Sequence, residues 1–317
     1  MDSRTVDGPR AGDHARVAVS VVHWGSAEDT LACLRSVAAS ASPARPLVVV
    51  DNGTGQLDAA AVERAAPGAL VVALPENQGF TGGSNVAIRR ALADGADAVV
   101  LLNNDAVLEP DALGALWRAA TAVPRVGAVG AKVLSAADPG RIWATYGRLT
   151  YRAALVDLVG QGERDGPAFA TARDVDVVPG CAMLLTRAAL ETVGLLDERY
   201  FAYHEDVDWC VRARSRGFRI RFAPEARVRH RGEGALAPRG FANPVRYLSA
   251  RNTVLFARSH GGFAQRARLA AAVLASLPIE YVRRRRRGEE EAVALLIRGY
   301  RDGLLGREVP YARLGLR

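Results

Sequence analysis

The chain has 317 residues, 49% of them hydrophobic, which is enough apolar material for the core of one large domain and an appendage. Its net charge of +8 comes almost entirely from arginine, since Lys132 is the only lysine. The arginines are scattered outside 283–287 and no nucleic-acid-binding motif is present, so we attribute them to a GC-rich coding bias and expect no nucleic-acid partner.

The N-terminus and the cysteines indicate a cytoplasmic location. Residues 1–15 are polar and contain no apolar segment of the kind found in secretory signals, so we expect a disordered tail there. Cys33, Cys181 and Cys210 are odd in number and widely separated, without the spacing of metal ligands. This usage fits a reducing compartment.

Strand and helix patterns alternate from residue 16 onward. Runs rich in β-branched residues predict strands at 16–23, 47–50 and 69–74, and apolar residues at helical spacing predict helices at 30–37 and 86–93. This alternation is typical of βαβ units. We therefore predict an α/β fold with a mostly parallel central sheet, right-handed crossovers and flanking helices.

Three further strands are predicted downstream. Four consecutive apolar residues at 99–102 indicate a strand that is buried on both faces. Residues 126–134 and 175–185 also have strand patterns, and the second of these is expected to bend at Pro179-Gly180.

Polar residues follow the predicted strands at the points where the strands end. The first strand stops at His23, the second is followed by Asp51, the third by Asn77 and the fourth by Asn103-Asn104-Asp105. In open α/β sheets ligands collect at the carboxyl ends of strands, so we expect these side chains to share one crevice. The alternative is a set of ordinary turns, which favour the same residue types.

A second acidic element lies at 204–208, where Glu205, Asp206 and Asp208 follow an aromatic cluster at 200–203. Like charges beside aromatic rings are costly unless a positive or protic group meets them. One interpretation is a helix over 206–217 with Glu205 or Asp206 as its N-cap and Arg212 paired with Asp208. The other is a functional site formed together with Asp105.

In their order along the chain, these motifs resemble the bacterial glycosyltransferases of family 2, which have the GT-A fold, and in particular the rhamnosyltransferase-like members. The matching segments are 48–53 (VVVDNG), 77–85 (NQGFTGGSN), 101–105 (LLNND) and 194–208 (GLLDERYFAYHEDVD), continued by Arg212, Gly217, Pro224 and His230. Their shared order makes the match specific, whereas any single motif would be weak. We therefore expect a GT-A catalytic domain over 16–234 and a helical C-terminal region over 235–317.

The resemblance implies a nucleotide-diphosphate sugar as donor, with dTDP-rhamnose preferred and UDP-sugars next. Asp51 offers a carboxylate to the imide N–H of thymine or uracil, and Gly53 lets the backbone approach closely. Gly79, Gly82 and Gly83 would leave N–H groups open to the ribose and diphosphate, ahead of a helix that starts near Ser84. The expected nucleotide-sugar contacts are His23, Asp51, Asn52, Asn77, Gly79, Gly82, Asn85, Asn103, Asn104, Gly180 and His230.

The resemblance also implies a divalent cation, Mg²⁺ or Mn²⁺, at the leaving diphosphate. The usual acidic pair of the family is replaced here by Asn103-Asn104-Asp105, so Asp105 is the only anionic ligand of this motif. His230 is the expected second contact of the metal. Because one carboxylate binds such a cation weakly, we expect the metal to enter with the donor.

In the acidic cluster, Asp206 matches the residue that similar enzymes use as general base in a single, inverting displacement. Glu205 would orient the acceptor or Asp206, and Asp208 would be structural. Two other function classes stay open. A nucleotidyltransferase normally needs a basic, Gly-rich loop after the first strand, which 23–28 lacks, and a non-catalytic nucleotide-sugar binding protein would not need all three carboxylates.

The C-terminal region contains an apolar stripe followed by the basic run 283–287. The stripe consists of Leu269, Val273, Leu274, Leu277 and Ile279, in a segment too short and too interrupted to cross a bilayer. We expect either a helix pair packed on the catalytic domain or peripheral contact of 263–287 with the inner face of an anionic membrane. Such contact would suit a lipid-linked glycan as acceptor. A polysaccharide end or a natural product are the alternatives, and 135–173 is the candidate acceptor loop.

Overall fold

The computed structural model describes residues 15–232 and 244–316, so the predicted tail, except for its last residue, and the predicted boundary at 234–235 lie outside the described residues. The strands are β1 (Val17–His23), β2 (Leu47–Asp51), β3 (Leu70–Ala73), β4 (Ala98–Asn103), β5 (Ala106–Leu108), β6 (Val126–Ser135), β7 (Ile142–Ala144), β8 (Gly147–Leu149), β9 (Val156–Leu158), β10 (Arg173–Asp174), β11 (Ala182–Thr186) and β12 (Arg219–His230). The helices are α1 (Ala27–Ala38), α2 (Ala59–Ala65), α3 (Gly79–Ala93), α4 (Ala112–Thr121), α5 (Arg187–Val193), α6 (Glu205–Ser215), α7 (Pro244–His260), α8 (Phe263–Arg285) and α9 (Glu290–Leu304).

The predicted α/β fold is confirmed, with one central sheet in the strand order β10-β12-β6-β11-β4-β1-β2-β3. The strands from β4 to β3 in this order are parallel, as the βαβ pattern predicted. On the other side β11 is antiparallel to both β4 and β6, whereas β12 runs parallel to β6. Because β11 is reversed, its amino end lies at the same sheet edge as the carboxyl ends of β1, β2 and β4.

Helices cover both faces of the sheet. Every residue of β1 and β2 is buried, which fits their continuous β-branched sequences. One apolar cluster joins the sheet to α1, α2 and α4, and a second joins the opposite face to α3, α5 and α6. The core is thus a three-layer sandwich, and the carboxyl edge of the parallel strands stays uncovered by either layer.

Helix α3 begins at Gly79, so the prediction of a start near Ser84 was wrong. The glycines serve close packing rather than an open loop. A Cβ atom at Gly79 would lie 2.3 Å from the carbonyl oxygen of Phe201, and one at Gly83 would lie 2.8 Å from Val22 of β1. Tertiary packing here outweighs the low helix propensity of glycine.

The prediction of a strand over 175–185 was also wrong in its first part, because β11 begins only at Ala182. Before it, the Val175 N–H donates to the carbonyl oxygen of Ile220 at 2.9 Å. Val178 occupies the space beside Gly130, because a Cβ atom on Gly130 would lie only 2.4 Å from the Cβ atom of Val178. The Pro179-Gly180 bend therefore separates an irregular segment from the strand, instead of kinking one continuous strand.

The C-terminal helices pack on the catalytic region and on each other. Gly299 of α9 lies so close to α7 that a Cβ atom there would be 2.4 Å from the Tyr247 carbonyl oxygen. Helix α8 has Leu269 as its only buried residue, whereas Leu274 and Ile279 are each 70% exposed. The predicted apolar stripe is therefore divided between the inner and the outer face of α8.

Within 15–232 and 244–316, no helix has the combination of length and apolar content that a bilayer span requires.

Candidate active site

A cavity of about 460 Å³ opens at the carboxyl edge of the parallel strands. Asp105, in the turn after β4, and the pair Glu205 and Asp206, at the start of α6, all line it. The two acidic elements are a hundred residues apart in the sequence, and the structure brings them to one cavity, as the strand-end argument requires. Ligand sites in proteins are usually of this size.

His230 is not part of the cavity wall, but it is buried directly behind Asp105. The Nε2 atom of His230 lies 2.9 Å from Asp105 Oδ1 and 3.2 Å from Asn103 Nδ2. His230 is the last residue of β12 and is placed here because β12 pairs with β5, where it lies opposite Ala106. The Trp143 ring meets the imidazole edge-on, at 4.4 Å between ring centroids.

Asp105 and His230 are the two side chains that would bind a divalent cation here. Among the described residues, no group of three or more His, Cys, Asp or Glu side chains could hold a metal ion by itself. Asp105 and His230 supply one hard oxygen and one imidazole nitrogen, so the remaining ligands would be diphosphate oxygens and water. The donor set therefore fits a cation that is held jointly with a diphosphate.

Asn104 borders the cavity, but its amide is engaged by the protein. Its Nδ2 donates to Thr30 Oγ1 at 3.0 Å and to the Trp24 carbonyl oxygen at 3.3 Å. His23 is fully buried, with Nδ1 2.7 Å from the same threonine hydroxyl. Among the described residues, His23 Nε2 has no hydrogen-bond partner, and burial lowers the pKa of this imidazole.

The side chains of Asn52 and Asn77 stabilise the loop before α3 through hydrogen bonds. Asn52 Nδ2 donates to Asn77 Oδ1 at 2.8 Å and to the Gly79 carbonyl oxygen at 3.1 Å, while Asn77 Nδ2 donates to the Leu316 carbonyl oxygen at 2.9 Å. Both residues and Gly79 border the cavity. Asp51 is buried, and its Oδ1 accepts hydrogen bonds from the N–H and the hydroxyl of Thr54.

The expectation that the N–H groups of 79–83 face a diphosphate was wrong. The Gly79 N–H donates to Asn77 Oδ1 at 2.8 Å, and the Thr81 N–H donates to the Phe201 carbonyl oxygen at 3.0 Å. These bonds connect the N-terminus of α3 to Asn77 and Phe201, so these two N–H groups are already occupied within the protein.

Gly82 and Asn85, predicted as nucleotide-sugar contacts, lie inside α3 and not in the cavity wall. A Cβ atom at Gly82 would lie 2.5 Å from the Gln78 side chain. Asn85 Nδ2 donates to the Leu196 carbonyl oxygen and its Oδ1 accepts from the Leu196 N–H. Both positions therefore serve packing and chain-to-chain hydrogen bonding.

The acidic cluster begins α6 one residue earlier than predicted, at Glu205, and the N-cap is His204 rather than a carboxylate. The predicted Arg212–Asp208 pair is present, with Arg212 Nε 2.7 Å from Asp208 Oδ2. His260 Nε2 lies 2.7 Å from the other oxygen of Asp208. Asp208 is thus buried and fully engaged, which fits the structural role expected for it.

Asp206 and Glu205 differ in their surroundings. Asp206 accepts hydrogen bonds from the N–H groups of Gly180 at 2.7 Å and Val207 at 2.8 Å, and it is partly exposed in the cavity. Glu205 is buried, and among the described residues its Oε2 has no hydrogen-bond partner. The backbone donors favour the ionised form of Asp206 over that of Glu205.

Burial raises the pKa of both carboxyl groups, and the negative charge of Asp206 raises the pKa of Glu205 further, well above its usual value. Burial also lowers the pKa of His204 to about 4, so this imidazole is neutral and contributes no positive charge. When the pair carries one proton, these shifts favour that proton on Glu205 and the negative charge on Asp206.

Gly180 was expected beside the donor sugar. It borders the cavity, and a Cβ atom there would lie 3.3 Å from Asp206 Cβ, so its small size also lets the backbone N–H reach the Asp206 carboxylate.

Sequence reasoning missed the residues that α7, α9 and the β8–β9 hairpin contribute to the cavity. They include Ser249, Thr253, Leu296 and Tyr300; of the hairpin, 153–156 line the cavity and lie inside the predicted acceptor loop 135–173, but they were not named individually. None of them follows a parallel strand, so the strand-end signal did not identify them. Polar residues inside the helical pattern of α7 were the available signal.

Curated relatives match part of the chain. The N-acetylglucosaminyl-diphospho-decaprenol L-rhamnosyltransferase of Mycobacterium tuberculosis is 30% identical over 183 residues, which are 53% of this chain and 57% of that enzyme. The low-salt glycan biosynthesis hexosyltransferase Agl10 of Haloferax volcanii is 26% identical over 153 residues, 45% of this chain and 46% of that protein. The chain thus spans about half the length of the curated relatives it matches.

Two solved structures share the fold. The mannosyltransferase PcManGT from Pyrobaculum calidifontis, in complex with GDP-Man and Mn²⁺, has a TM-score of 0.55 and 19% identity, with 93% of this chain and 89% of that chain covered. GalNAc-T7 with UDP, GalNAc and Mn²⁺ has a TM-score of 0.58 and 12% identity, with 77% and 48% covered. At such identities the likeness concerns the fold, and it confirms the GT-A expectation.

A family model described as "Glycosyltransferase like family 2" matches residues 14–246, which is more than half of the chain. The matched range contains both acidic elements and every strand of the central sheet. The chain therefore belongs to glycosyltransferase family 2.

Proposed function

We propose that the protein is an inverting glycosyltransferase that transfers a sugar from a nucleotide-diphosphate donor to an acceptor hydroxyl. The observation that carries this proposal is one cavity that is lined by both Asp105 and Asp206, with His230 bonded to Asp105 from behind the cavity wall. The relatives support it, because the mycobacterial one is named a rhamnosyltransferase and the Pyrobaculum structure contains GDP-Man and Mn²⁺. The donors to test first are dTDP-rhamnose and then UDP-sugars.

The donor would lie along the carboxyl edge of β2, β1 and β4. Both hydrogen bonds from Thr54 use Asp51 Oδ1, which leaves Oδ2 for the imide N–H of a thymine or uracil ring. The diphosphate would then reach Asp105 and His230. Mg²⁺ or Mn²⁺ bound there with the diphosphate would neutralise the charge that develops as the sugar–oxygen bond breaks.

Asp206 would act on the other side of the anomeric carbon. An alcohol attacks that carbon only if a base takes its proton as the new bond forms, and the ionised Asp206 carboxylate is the available base in the cavity. Protonated Glu205, with its unpartnered Oε2, would donate a hydrogen bond to the acceptor or to Asp206. Displacement from the side opposite the diphosphate inverts the anomeric centre.

The acceptor would enter between the β8–β9 hairpin and the C-terminal helices. Ala154, Leu155 and Leu296 make this side of the cavity apolar, whereas Ser249 and Thr253 offer hydroxyl groups. A glycan carried on a lipid suits such a mixed surface. We therefore place a lipid-linked glycan before a polysaccharide end or a natural product as acceptor class.

Substitution of the two carboxyl groups should have unequal effects. Asp206→Asn removes the base and should lower kcat by about 10²- to 10⁴-fold with unchanged donor affinity. Glu205→Gln keeps a neutral hydrogen-bonding side chain of the same shape and should lower kcat by less than about tenfold. Turnover is measured as nucleoside diphosphate released from dTDP-rhamnose or UDP-sugars. Near-normal turnover of Asp206→Asn would remove the assignment of the base.

The pH dependence of stability follows from the raised pKa of Glu205. The folded protein keeps this proton above pH 4.5, where the unfolded chain has lost it, so the stability that Glu205 contributes declines as pH rises through its raised folded value. In Glu205→Gln the side chain at this position does not titrate, so the variant does not lose this stability as pH rises. The Tm of this variant relative to the wild type should therefore increase from pH 5 to pH 8, as followed by circular dichroism. A Tm difference that is constant or falls over this range would show that Glu205 is ionised in the folded protein.

The cation should depend on the diphosphate for binding. Mn²⁺ alone should leave Tm unchanged, whereas UDP or dTDP with Mn²⁺ should raise Tm more than the nucleotide with EDTA. Ligand at a hundred times its Kd adds about 2.7 kcal/mol of stability. Asp105→Asn should abolish the part of the shift that needs Mn²⁺. A Tm rise with Mn²⁺ alone would indicate a complete metal site in the free protein.

The outer face of α8 is the surface that we propose for peripheral membrane contact. Phe263 is 90% and Leu274 70% exposed, and with Tyr281 they share one face of the helix, since they are eleven and seven residues apart. Arg285 extends this face at its C-terminal end. Glu280 is engaged by Arg246 and Arg284, so its charge does not oppose an anionic surface.

Binding to lipid vesicles tests this surface. The protein should cosediment with vesicles that contain phosphatidylglycerol more than with pure phosphatidylcholine, and 1 M salt should weaken the binding. Phe263→Glu combined with Leu274→Glu should reduce binding at least tenfold. Val71→Glu on β3, also exposed and apolar in the wild type, is the matched control and should bind normally. Equal binding of the double variant and the control would exclude α8 as the docking face.

A further inference from the structure

The backbone directly before the two cavity carboxylates has an unusual conformation. Phe201, Tyr203 and His204 have φ angles of 63°, 71° and 70°, although none of them is glycine. Each such residue is strained relative to a right-handed conformation, because its Cβ atom lies too close to the following carbonyl oxygen. Conformations of this kind persist only where the surrounding structure enforces them, and they concentrate at functional sites.

Asn252 of α7 provides much of this enforcement. Its side chain is fully buried, and Nδ2 lies 2.9, 2.8 and 2.8 Å from the carbonyl oxygens of Tyr200, Ala202 and Tyr203. Three carbonyl oxygens that converge on one point require a donor there, since an unpaired buried carbonyl is costly. An asparagine amide satisfies this requirement without adding a charge.

The orientation of the Asn252 amide is fixed by its neighbour. Arg251 Nη1 donates to Asn252 Oδ1 at 2.9 Å, which leaves the Nδ2 group facing the carbonyl oxygens. The same guanidinium nitrogen donates to the Arg199 carbonyl oxygen at 2.9 Å. On the opposite side, the Thr81 hydroxyl and N–H both donate to the Phe201 carbonyl oxygen. The segment 199–204 is therefore held between α3 and α7.

We propose that Asn252 is a positioning residue for the transfer reaction. By binding the carbonyl oxygens of 200–203, it fixes the start of α6 and thereby aims the Asp206 carboxylate into the cavity. This inference rests on the proposed function, in which Asp206 is the base. It makes α7 part of the catalytic unit rather than an appendage beside it.

The first test is Asn252→Asp, which keeps the shape of the side chain but replaces the donor by an acceptor. With dTDP-rhamnose, or with the UDP-sugar that turns over fastest in the wild type, kcat should fall about 100-fold, as expected for a misplaced reacting group. The donor KM should change less than about threefold, because the donor wall is untouched. Equal losses in kcat and in donor affinity would refute the positioning role.

Tyr247→Phe is the matched control on the same helix. Tyr247 is also fully buried, but its hydroxyl donates to Asp302 Oδ2 at 3.1 Å, away from 200–204. Loss of this hydrogen bond should lower Tm and leave kcat within about twofold of the wild type. A kcat loss in this control as large as in Asn252→Asp would show that general destabilisation explains both.

A double-substitution cycle separates the inference from the proposed function. In the Asp206→Asn background, Asn252→Asp should lower the residual turnover less than about threefold, because the group that it positions is gone. A further 100-fold loss there would overturn the inference and leave the proposed function standing. Near-normal turnover of Asp206→Asn alone would overturn both.

Asn252→Ser provides a neutral variant in case the aspartate variant does not fold. The shorter hydroxyl cannot reach all three carbonyl oxygens, so kcat should again fall with little change in donor KM. If both Asn252 variants fail to fold while Tyr247→Phe folds, Asn252 is required for folding itself, and the positioning role is refuted.

Discussion

Two adjacent carboxyl groups share one buried part of the cavity, and burial together with the repulsion between their charges disfavours the ionisation of both. A single negative charge is tolerated there because the N–H groups of Gly180 and Val207 bind it on Asp206. A second charge on Glu205 would be buried beside the first, with only the N–H of Glu205 itself as a backbone donor, so burial and the charge of Asp206 favour the protonated form of Glu205. The sequence motif supplies two chemically similar groups, and their different surroundings support the separate roles that we propose for them.

The difference between the surroundings of Asp206 and Glu205 depends on the reversed direction of β11. In a fully parallel sheet, the segment before β11 would lie at the far edge, and Gly180 would have no access to Asp206. With β11 antiparallel to β4, Ala182 lies opposite Leu102, and the Pro179-Gly180 bend reaches the cavity. The irregular backbone before β11 thus provides a hydrogen-bond donor that a regular strand would have used in the sheet.

The residues at the strand ends were predictable from the sequence, because parallel strands with short polar exits place those exits at one edge. Asp105 and Asn77 are found there as expected. The start of α3 was not predictable, since its glycines have low helix propensity and are explained only by the approach of Phe201 and Val22. The contacts of Asn252 were not predictable either, because their partners at 200–203 are about fifty residues away in the sequence. Without these partners, a polar residue in a helical pattern indicates a surface position.

The contribution of α7 and α9 to the cavity was the largest omission. Buried glycines at 299 and 303 let these helices pack closely, and polar and aromatic side chains of both helices then reach the cavity. Contacts between segments far apart in the sequence leave no local periodicity, so only the three-dimensional arrangement reveals them.

The contact between Trp143 and His230 gives the protein an internal optical reporter. The indole borders the cavity and touches the imidazole that faces Asp105. A paramagnetic ion quenches the emission of an indole at such short range. Entry of Mn²⁺ at the proposed site would therefore lower the part of the intrinsic fluorescence that comes from Trp143, which can be measured without a dye or a labelled substrate.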